Sequence, residues 1–172
     1  RYSSPVIDPI FILLALLSII CLHIYGMGIN QIYDLEIDKI NKPSLPLVSG
    51  ALSLSQGKWI TYTAGLLSFI LALSDPKYLL ATIIVLLVVT TTYSIPRFRF
   101  KENAILAALS ISLSRSFIYV GGFLLVFTNG IFLQSVTDLA ISFLIYSFVY
   151  ALVIAVTKDL PDMVGDSQHR VR

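Results

Sequence analysis

Charge is scarce in this sequence. Only 13% of its 172 residues are charged and 56% are hydrophobic, whereas soluble domains carry about 25% charged residues. The single cysteine, Cys21, excludes an internal disulfide and a metal site built from several thiols. The net charge is only +2, and no basic stripe interleaved with aromatic residues supports nucleic-acid binding. The composition therefore favours a membrane protein that does not bind nucleic acid.

Long apolar stretches alternate with short polar segments along the chain. Several approach the ~20 residues that a helix needs to cross the hydrocarbon layer of a bilayer. We expect five helices, over residues 10–29, 54–74, 78–94, 103–127 and 139–157. The predicted fold is all-α, a multi-pass transmembrane helical bundle that forms one continuous domain over residues 1–172.

The expected helix boundaries follow from a few local signals. Pro43 and Pro96 end the first and third helices, because proline disfavours helical geometry in the residue before it. Ser53 and Gln56 have the spacing of a capping box, which predicts a helix start near Leu54. Threading five helices back and forth then brings the ends of the first, third and fifth helices to one side. That side carries most of the lysines and arginines, so the positive-inside rule orients it toward the cytoplasm or an equivalent compartment.

Two acidic clusters lie on this same side. Asn30, Asp34 and Asp38 are spaced four residues apart. We expect the first helix to continue in register through residues 30–40, so that these three residues form one stripe. The second cluster follows the fifth helix with spacing i, i+3, i+7 and consists of Asp159, Asp162 and Asp166. It forms one stripe only if the helix continues past Pro161, which can kink or restart it.

Convergent carboxylates need cations between them. At ~4 Å two of them repel by about 4 kcal/mol at an effective dielectric constant near 20. Mg²⁺ fits, because it takes hard oxygen ligands and commonly completes its shell with substrate phosphates. Basic residues on the same edge are suited to the remaining charge of a diphosphate: Lys42, Arg99, Lys101 and Lys158. The alternative is that each stripe is the solvated end of a helix.

Three segments resemble the motifs of one known family. They read NQIYDLEIDKINKPSLPLVSG (30–50), YSIPRFRFK (93–101) and KDLPDMVGD (158–166). Together they are similar to the aspartate motifs and the intervening segment of the UbiA superfamily of intramembrane prenyltransferases. The NKPSLPLVSG ending resembles the homogentisate branch and the related plant flavonoid and aromatic prenyltransferases. Arg97 departs from the pattern, since a second proline is common at that position.

The resemblance implies an architecture and a location. The five helices would match the second to sixth of about nine, so the chain is expected to be an excerpt that lacks the N-terminal helix and the C-terminal helices. Neither Arg1 nor Arg172 is typical of a natural terminus. The implied location is a plastid envelope or thylakoid membrane, or a bacterial inner membrane, with the motif side facing the stroma or cytoplasm.

The resemblance also implies an activity. The family reaction is Mg²⁺-dependent transfer of a prenyl or phytyl group from an isoprenoid diphosphate donor to an aromatic acceptor, here most simply homogentisate, with a flavonoid, another phenolic or another quinone precursor as alternatives. The implied metal ligands are Asn30, Asp34, Asp38, Asp159, Asp162 and Asp166, and the five aspartates are also the implied catalytic residues. The implied diphosphate ligands are Lys42, Arg99, Lys101 and Lys158.

Two further residues have open roles. Tyr93 either lines the site or anchors the membrane interface. Arg115, in the middle of the fourth helix, either meets the acceptor or pairs with a helix-end carbonyl or snorkels, because a charge inside the membrane is costly. A membrane transporter is the alternative from another class, although transporters tend to place ionisable residues near the midplane on broken helices.

Overall fold

The computed structural model describes residues 9–75, 79–127 and 134–157; within these ranges the regular secondary structure is helical, with no strand. The helices are α1 Pro9–Tyr33, α2 Leu35–Asn41, α3 Leu54–Ala72, α4 Leu79–Ser94, α5 Ala104–Phe127 and α6 Gln134–Thr157, with a 3₁₀ turn at Phe100–Glu102. This confirms the all-helical fold expected from the sequence. The expected helix at 139–157 begins earlier, at Gln134.

The local signals for helix ends act as expected. Ser53 Oγ accepts a hydrogen bond from Gln56 N at 3.2 Å, and Gln56 Oε1 accepts one from Ser53 N at 2.9 Å. This reciprocal pair is a capping box, which satisfies N–H groups left free at the start of α3. Likewise, α2 ends at Asn41 shortly before Pro43, and α4 ends shortly before Pro96.

The first helix is interrupted at Asp34, where one continuous helix was expected. Asp34 has φ −102° and ψ 8°, outside helical geometry, and it separates α1 from α2. The hydrogen bonds on this face nevertheless continue. Asp34 N donates to Asn30 O at 2.9 Å, and Asp38 N donates to Asp34 O at 2.8 Å. The helical dihedral angles are therefore interrupted at Asp34, while the four-residue hydrogen-bond spacing of the stripe is kept.

Small residues bring α1 and α3 into close contact. Ser18 Oγ donates to Ser68 O across the interface at 2.8 Å. Gly28 faces Thr61, and Gly65 faces the ring of Tyr25, so neither glycine has room for a side chain. Small residues with hydroxyl cross-links are typical of helix pairs that pack inside membranes.

The connection between α5 and α6 fixes their relative direction. The two helices pack against each other and only residues 128–133 separate them. Six residues can bridge roughly 25 Å at most, whereas a 24-residue helix is ~36 Å long. A parallel pair would need the longer distance, so the helices are antiparallel. Consequently α6 ends at Thr157 near the end of the bundle where α5 begins.

Much of the surface is apolar. Large hydrophobic side chains are exposed on several helices; Ile10, Leu66, Ile105 and Tyr150 are examples. By length and hydropathy, α1 is the one helix in the described ranges that could cross a membrane by itself, and shorter apolar segments lie at Leu79–Ser94, Ile105–Ser116 and Ile141–Ile154. Such a surface is unfavourable in water, and it matches the expectation of a helical bundle embedded in lipid.

Candidate active site

Asp34 is the centre of a polar cluster at one end of the bundle. Lys101 Nζ donates to Asp34 Oδ2, and it also donates to Asn30 Oδ1 at 3.3 Å. Arg99 Nη2 lies 3.8 Å from Asp34 Oδ1. The side chains of Asp34 and Lys101 are only 13% and 15% exposed. Water and salt screen a partly buried ion pair less than a surface pair, so the charges of Asp34 and Lys101 interact strongly.

An unusual backbone turn in the segment after α4 positions the cationic side chains of Arg99 and Lys101. Arg99 has φ 42° and ψ 51°, the left-handed region, and it is the one non-glycine residue of the described ranges with positive φ. Its amide donates to Ile95 O at 2.8 Å. Its guanidinium pairs with Glu102 at 2.8 Å, from Nη1 to Oε1. A left-handed arginine costs roughly 1–2 kcal/mol, and such strain is concentrated at functional sites.

Ser94 is a member of the cluster that the sequence did not single out. Its Oγ donates to Asn30 Oδ1 at 3.4 Å, so Asn30 Oδ1 accepts from both Ser94 and Lys101. Ser94 is buried, at 1% exposure. The only signal in the sequence was its position at the expected end of a helix, directly before the basic segment.

Asp38 lies one turn beyond Asp34 and has a different partner. Its side chain is 5% exposed, and Lys42 Nζ approaches Asp38 Oδ1 at 3.6 Å. Lys42 itself is 60% exposed, so its ammonium remains accessible to a ligand. The neighbouring pair of Lys39 and Glu36 is exposed to solvent and separate from the cluster. Lys42 is thus on the expected edge, but it pairs with Asp38 and not with Asp34.

The oxygens of this cluster fit a divalent cation. Asn30, Asp34 and Asp38 supply amide and carboxylate oxygens, the ligands that Mg²⁺ prefers. Asp34 Oδ1 is buried and accepts no hydrogen bond in the described part of the chain, which is costly unless a cation or donor reaches it. The described residues contain no group of three or more histidine, cysteine or acidic side chains arranged for a metal, so a metal ion bound here would need further ligands.

The second acidic cluster lies outside the described residues. It comprises Asp159, Asp162 and Asp166, which follow the end of α6 in the sequence, and the adjacent basic residue Lys158 lies outside the described residues as well. Since α6 and α5 are antiparallel, Thr157 lies toward the same end of the bundle as Ala104. The sequence-based prediction that both clusters share one side remains a prediction, and the helix directions favour it.

A cavity of about 420 Å³ extends from this cluster into the bundle between α1, α4 and α5. Most of its lining is apolar. The polar or ionisable residues that border it are His23, Asn30, Thr90, Tyr93, Ser94, Ser110, Ser114 and Arg115. Tyr93 and Arg115, the two residues with open roles, therefore line the same space as Asn30. His23 also lies in the cavity wall, and no motif in the sequence points to it.

This fold and site define a class: a helical membrane protein with carboxylates and cations gathered at one end of an apolar cavity. Within that class the chain belongs to the UbiA prenyltransferase family, whose profile matches residues 2–172. Members of this family generally depend on a divalent metal ion. The membership agrees with the resemblance found in the motifs, and it disfavours the transporter alternative.

Three similar proteins illustrate the range of the relatives. Homogentisate phytyltransferase of Synechocystis is 36% identical over 151 residues, covering 87% of this chain and 49% of the relative. The chloroplastic homogentisate solanesyltransferase of Arabidopsis thaliana is 38% identical, covering 91% and 41%. Naringenin 8-dimethylallyltransferase 2 of Sophora flavescens is 35% identical, covering 90% and 39%. The chain thus spans about two fifths to one half of these relatives, and no solved structure matches it significantly.

Proposed function

We propose that the protein containing this chain transfers a prenyl or phytyl group from an isoprenoid diphosphate to an aromatic acceptor of the homogentisate type, with Mg²⁺ as cofactor. The observation that carries the proposal is the contact of Asp34 with Lys101 and Arg99, next to Asn30, which borders an apolar cavity. Anionic and cationic groups meet there beside a space suited to an isoprenoid chain. The named activities of the relatives support the same reaction class.

The cluster has the groups that an allylic diphosphate needs in order to ionise. Asn30, Asp34 and Asp38 would hold a divalent cation together with Asp159, Asp162 and Asp166 of the second motif. A bound divalent cation supplies charge neutralisation at the leaving diphosphate. Lys101 and Arg99 lie next to Asp34, so their side chains can also bind diphosphate oxygens as negative charge develops there. Lys42 and Lys158 would bind further oxygens of the diphosphate.

The cavity would hold the isoprenoid chain while the prenyl group is transferred. Its apolar wall can solvate the isoprenoid tail and exclude water from the allylic cation. The electron-rich ring of the acceptor then attacks that cation. Homogentisate would lose carbon dioxide after attack, whereas a flavonoid or another phenolic would lose a ring proton. Relatives named for homogentisate and for naringenin keep both acceptors open.

The membrane setting is part of the proposal. The relatives are cyanobacterial or chloroplastic, which suggests a bacterial inner membrane or a plastid membrane. The cluster end carries the basic residues Lys42, Arg97, Arg99 and Lys101. By the positive-inside rule this end would face the cytoplasm or stroma.

The test is prenyl transfer by the full-length protein in membranes. Dimethylallyl, geranylgeranyl, phytyl and solanesyl diphosphates are offered with homogentisate or naringenin, with Mg²⁺ or with EDTA, and product masses are measured. We expect one Mg²⁺-dependent aromatic product. Asp34→Ala and Asp162→Ala should abolish it, and Glu36→Ala should not, because the exposed Glu36 pairs with Lys39, away from Asp34. Unchanged product formation by Asp34→Ala would contradict the proposal.

A further inference from the structure

Arg115 is a charged residue in the middle of an apolar helix. It is the twelfth of the 24 residues of α5, at a depth where a charge is normally tolerated only with a partner or a polar cavity. Arg115 is exposed, and it lines the large cavity. It has no hydrogen bond or ion pair with any residue that the structure describes. A guanidinium placed in this way requires an anionic ligand or a polar environment.

The cavity offers Arg115 no counter-ion. No aspartate or glutamate in the described ranges borders this space. The neighbours on the wall include the neutral Ser114 and apolar residues such as Ile111 and Ile118. Five donors in a planar fork make arginine suited to binding a carboxylate through two parallel hydrogen bonds. The missing negative charge is therefore expected from the molecule that fills the cavity.

The position of Arg115 along the cavity fits a short aromatic acid. Asn30 lies at the diphosphate end, and His23, seven residues earlier on α1, lies about 10 Å deeper. On α5, Arg115 lies about 7.5 Å deeper than Ser110. An arylacetic acid measures roughly 7 Å from its carboxylate to the far ring carbons, by standard bond lengths. A carboxylate held on Arg115 would therefore leave the ring between Arg115 and the cluster around Asn30.

We propose that Arg115 binds the carboxylate of the aromatic acceptor, so that this site selects an aromatic carboxylic acid over a neutral phenol. The inference rests on the proposed prenyl transfer and adds the chemical class of the acceptor. It assigns the donor to the cluster end of the cavity and the acceptor's charged group to the deeper end. The phenolic ring carbon would then face the allylic carbon.

The experiment compares homogentisate with its methyl ester, which keeps the ring and hydroxyl groups but has no charge. The full-length protein in membranes is assayed with Mg²⁺ and the donor that it uses best. In Arg115→Gln, kcat/KM for homogentisate should fall about 100-fold, mainly through KM, because charge-assisted hydrogen bonds are lost. The value for the ester should change less than about threefold. Arg97→Gln, which changes an exposed arginine outside the cavity, should alter neither value.

A binding measurement separates this inference from the proposed function. Homogentisate should raise the melting temperature of the purified full-length wild type and leave Arg115→Gln unchanged, whether or not prenyl transfer occurs. If the wild type shows this shift but prenylates no acceptor, the proposed function fails and the assignment of Arg115 stands. A shift of equal size in both proteins, or an acid-to-ester ratio of kcat/KM that is unchanged in Arg115→Gln, would overturn the assignment.

A second variant covers a failure of Arg115→Gln to fold. Arg115→Lys keeps the charge and loses the fork, so the acid-to-ester ratio should fall about tenfold. Release of pyrophosphate from the donor without acceptor, at an unchanged donor KM, shows that the donor site is intact in either variant. An unchanged acid-to-ester ratio in Arg115→Lys with an intact donor site would also contradict the assignment.

Discussion

Lys101 donates to Asp34, and the same ammonium reaches Asn30 Oδ1 at 3.3 Å. It therefore lies between two oxygens of the proposed metal-binding set. A divalent cation that uses both oxygens must displace this ammonium. Once displaced, Lys101 would still lie close to Asn30, which borders the cavity, and could bind an arriving diphosphate. The geometry couples the metal site to the diphosphate site through one side chain.

We expect Lys101→Met to bind Mn²⁺, as a probe for Mg²⁺, about tenfold more tightly than the wild type without diphosphate. The variant lacks the Lys101 ammonium that competes for Asp34. A positive charge beside a carboxylate weakens the binding of another cation to it. Pyrophosphate should strengthen Mn²⁺ binding more in the wild type than in the variant. Electron paramagnetic resonance of the purified full-length protein measures free Mn²⁺ in both cases.

Lys39→Met is the matched control, because Lys39 pairs with the exposed Glu36 and lies outside the cluster. Its Mn²⁺ affinity should equal that of the wild type. Equal Mn²⁺ affinity of the wild type and Lys101→Met, with and without pyrophosphate, would contradict the coupling.

The start of α3 gives a prediction of stability. Ser53→Ala removes the acceptor for Gln56 N, which should cost about 1 kcal/mol and lower the melting temperature by a few degrees. Ser55→Ala, at an exposed position two residues later, should have little effect. Thermal unfolding of the purified protein compares the two variants. If both melt alike, the capping box contributes nothing measurable.

Helix boundaries were predictable because their signals are local. Ser53, Gln56, Pro43 and Pro96 act within one turn of their own position, so the sequence alone indicates where the chain can be helical. Local signals alone did not predict that Asn30 lies near the basic segment after α4. That expectation followed from counting helix crossings and from the family motifs, and the contact of Lys101 with Asn30 and Asp34 agrees with it.

Other features could not be predicted, since they depend on packing between distant elements. The non-helical backbone of Asp34 leaves the spacing of Asn30 and Asp38 unchanged, so no periodicity reveals it. The left-handed conformation of Arg99 would ordinarily be expected for glycine or asparagine. The cavity wall combines three helices, and single residues such as Ser94 acquire a role only when α4 meets α1.

The contact of Gly28 with Thr61 predicts a large effect of a small change. A methyl group on Gly28 would collide with Thr61, and Thr61 cannot easily turn, because it is 2% exposed and its Oγ1 donates to Gly57 O at 2.7 Å. We expect Gly28→Ala to destabilise the protein by about 1–3 kcal/mol. This should hold although alanine favours a helix by about 1 kcal/mol over glycine.

Gly57→Ala is the matched control for Gly28→Ala. Its methyl group would lie 2.5 Å from Leu47 Cδ2, the end of a flexible side chain that can turn away. Its loss of stability should therefore be smaller. Chemical or thermal unfolding in detergent ranks the two variants, and the reverse ranking would show that the α1 to α3 interface adapts more easily than its packing indicates.

Arg99 allows backbone strain and charge to be separated. Arg99→Ala and Arg99→Gly both remove the guanidinium that lies near Asp34 and pairs with Glu102, so each should raise the donor KM about tenfold. Only glycine adopts φ 42° without cost. Arg99→Gly should therefore be more stable than Arg99→Ala by about 1 kcal/mol, at the same donor KM. Melting temperatures and steady-state kinetics of the two variants test this. Equal stability would mean that the turn relaxes when the arginine is removed, and unequal KM values would mean that the turn itself, and not only the charge, positions the diphosphate.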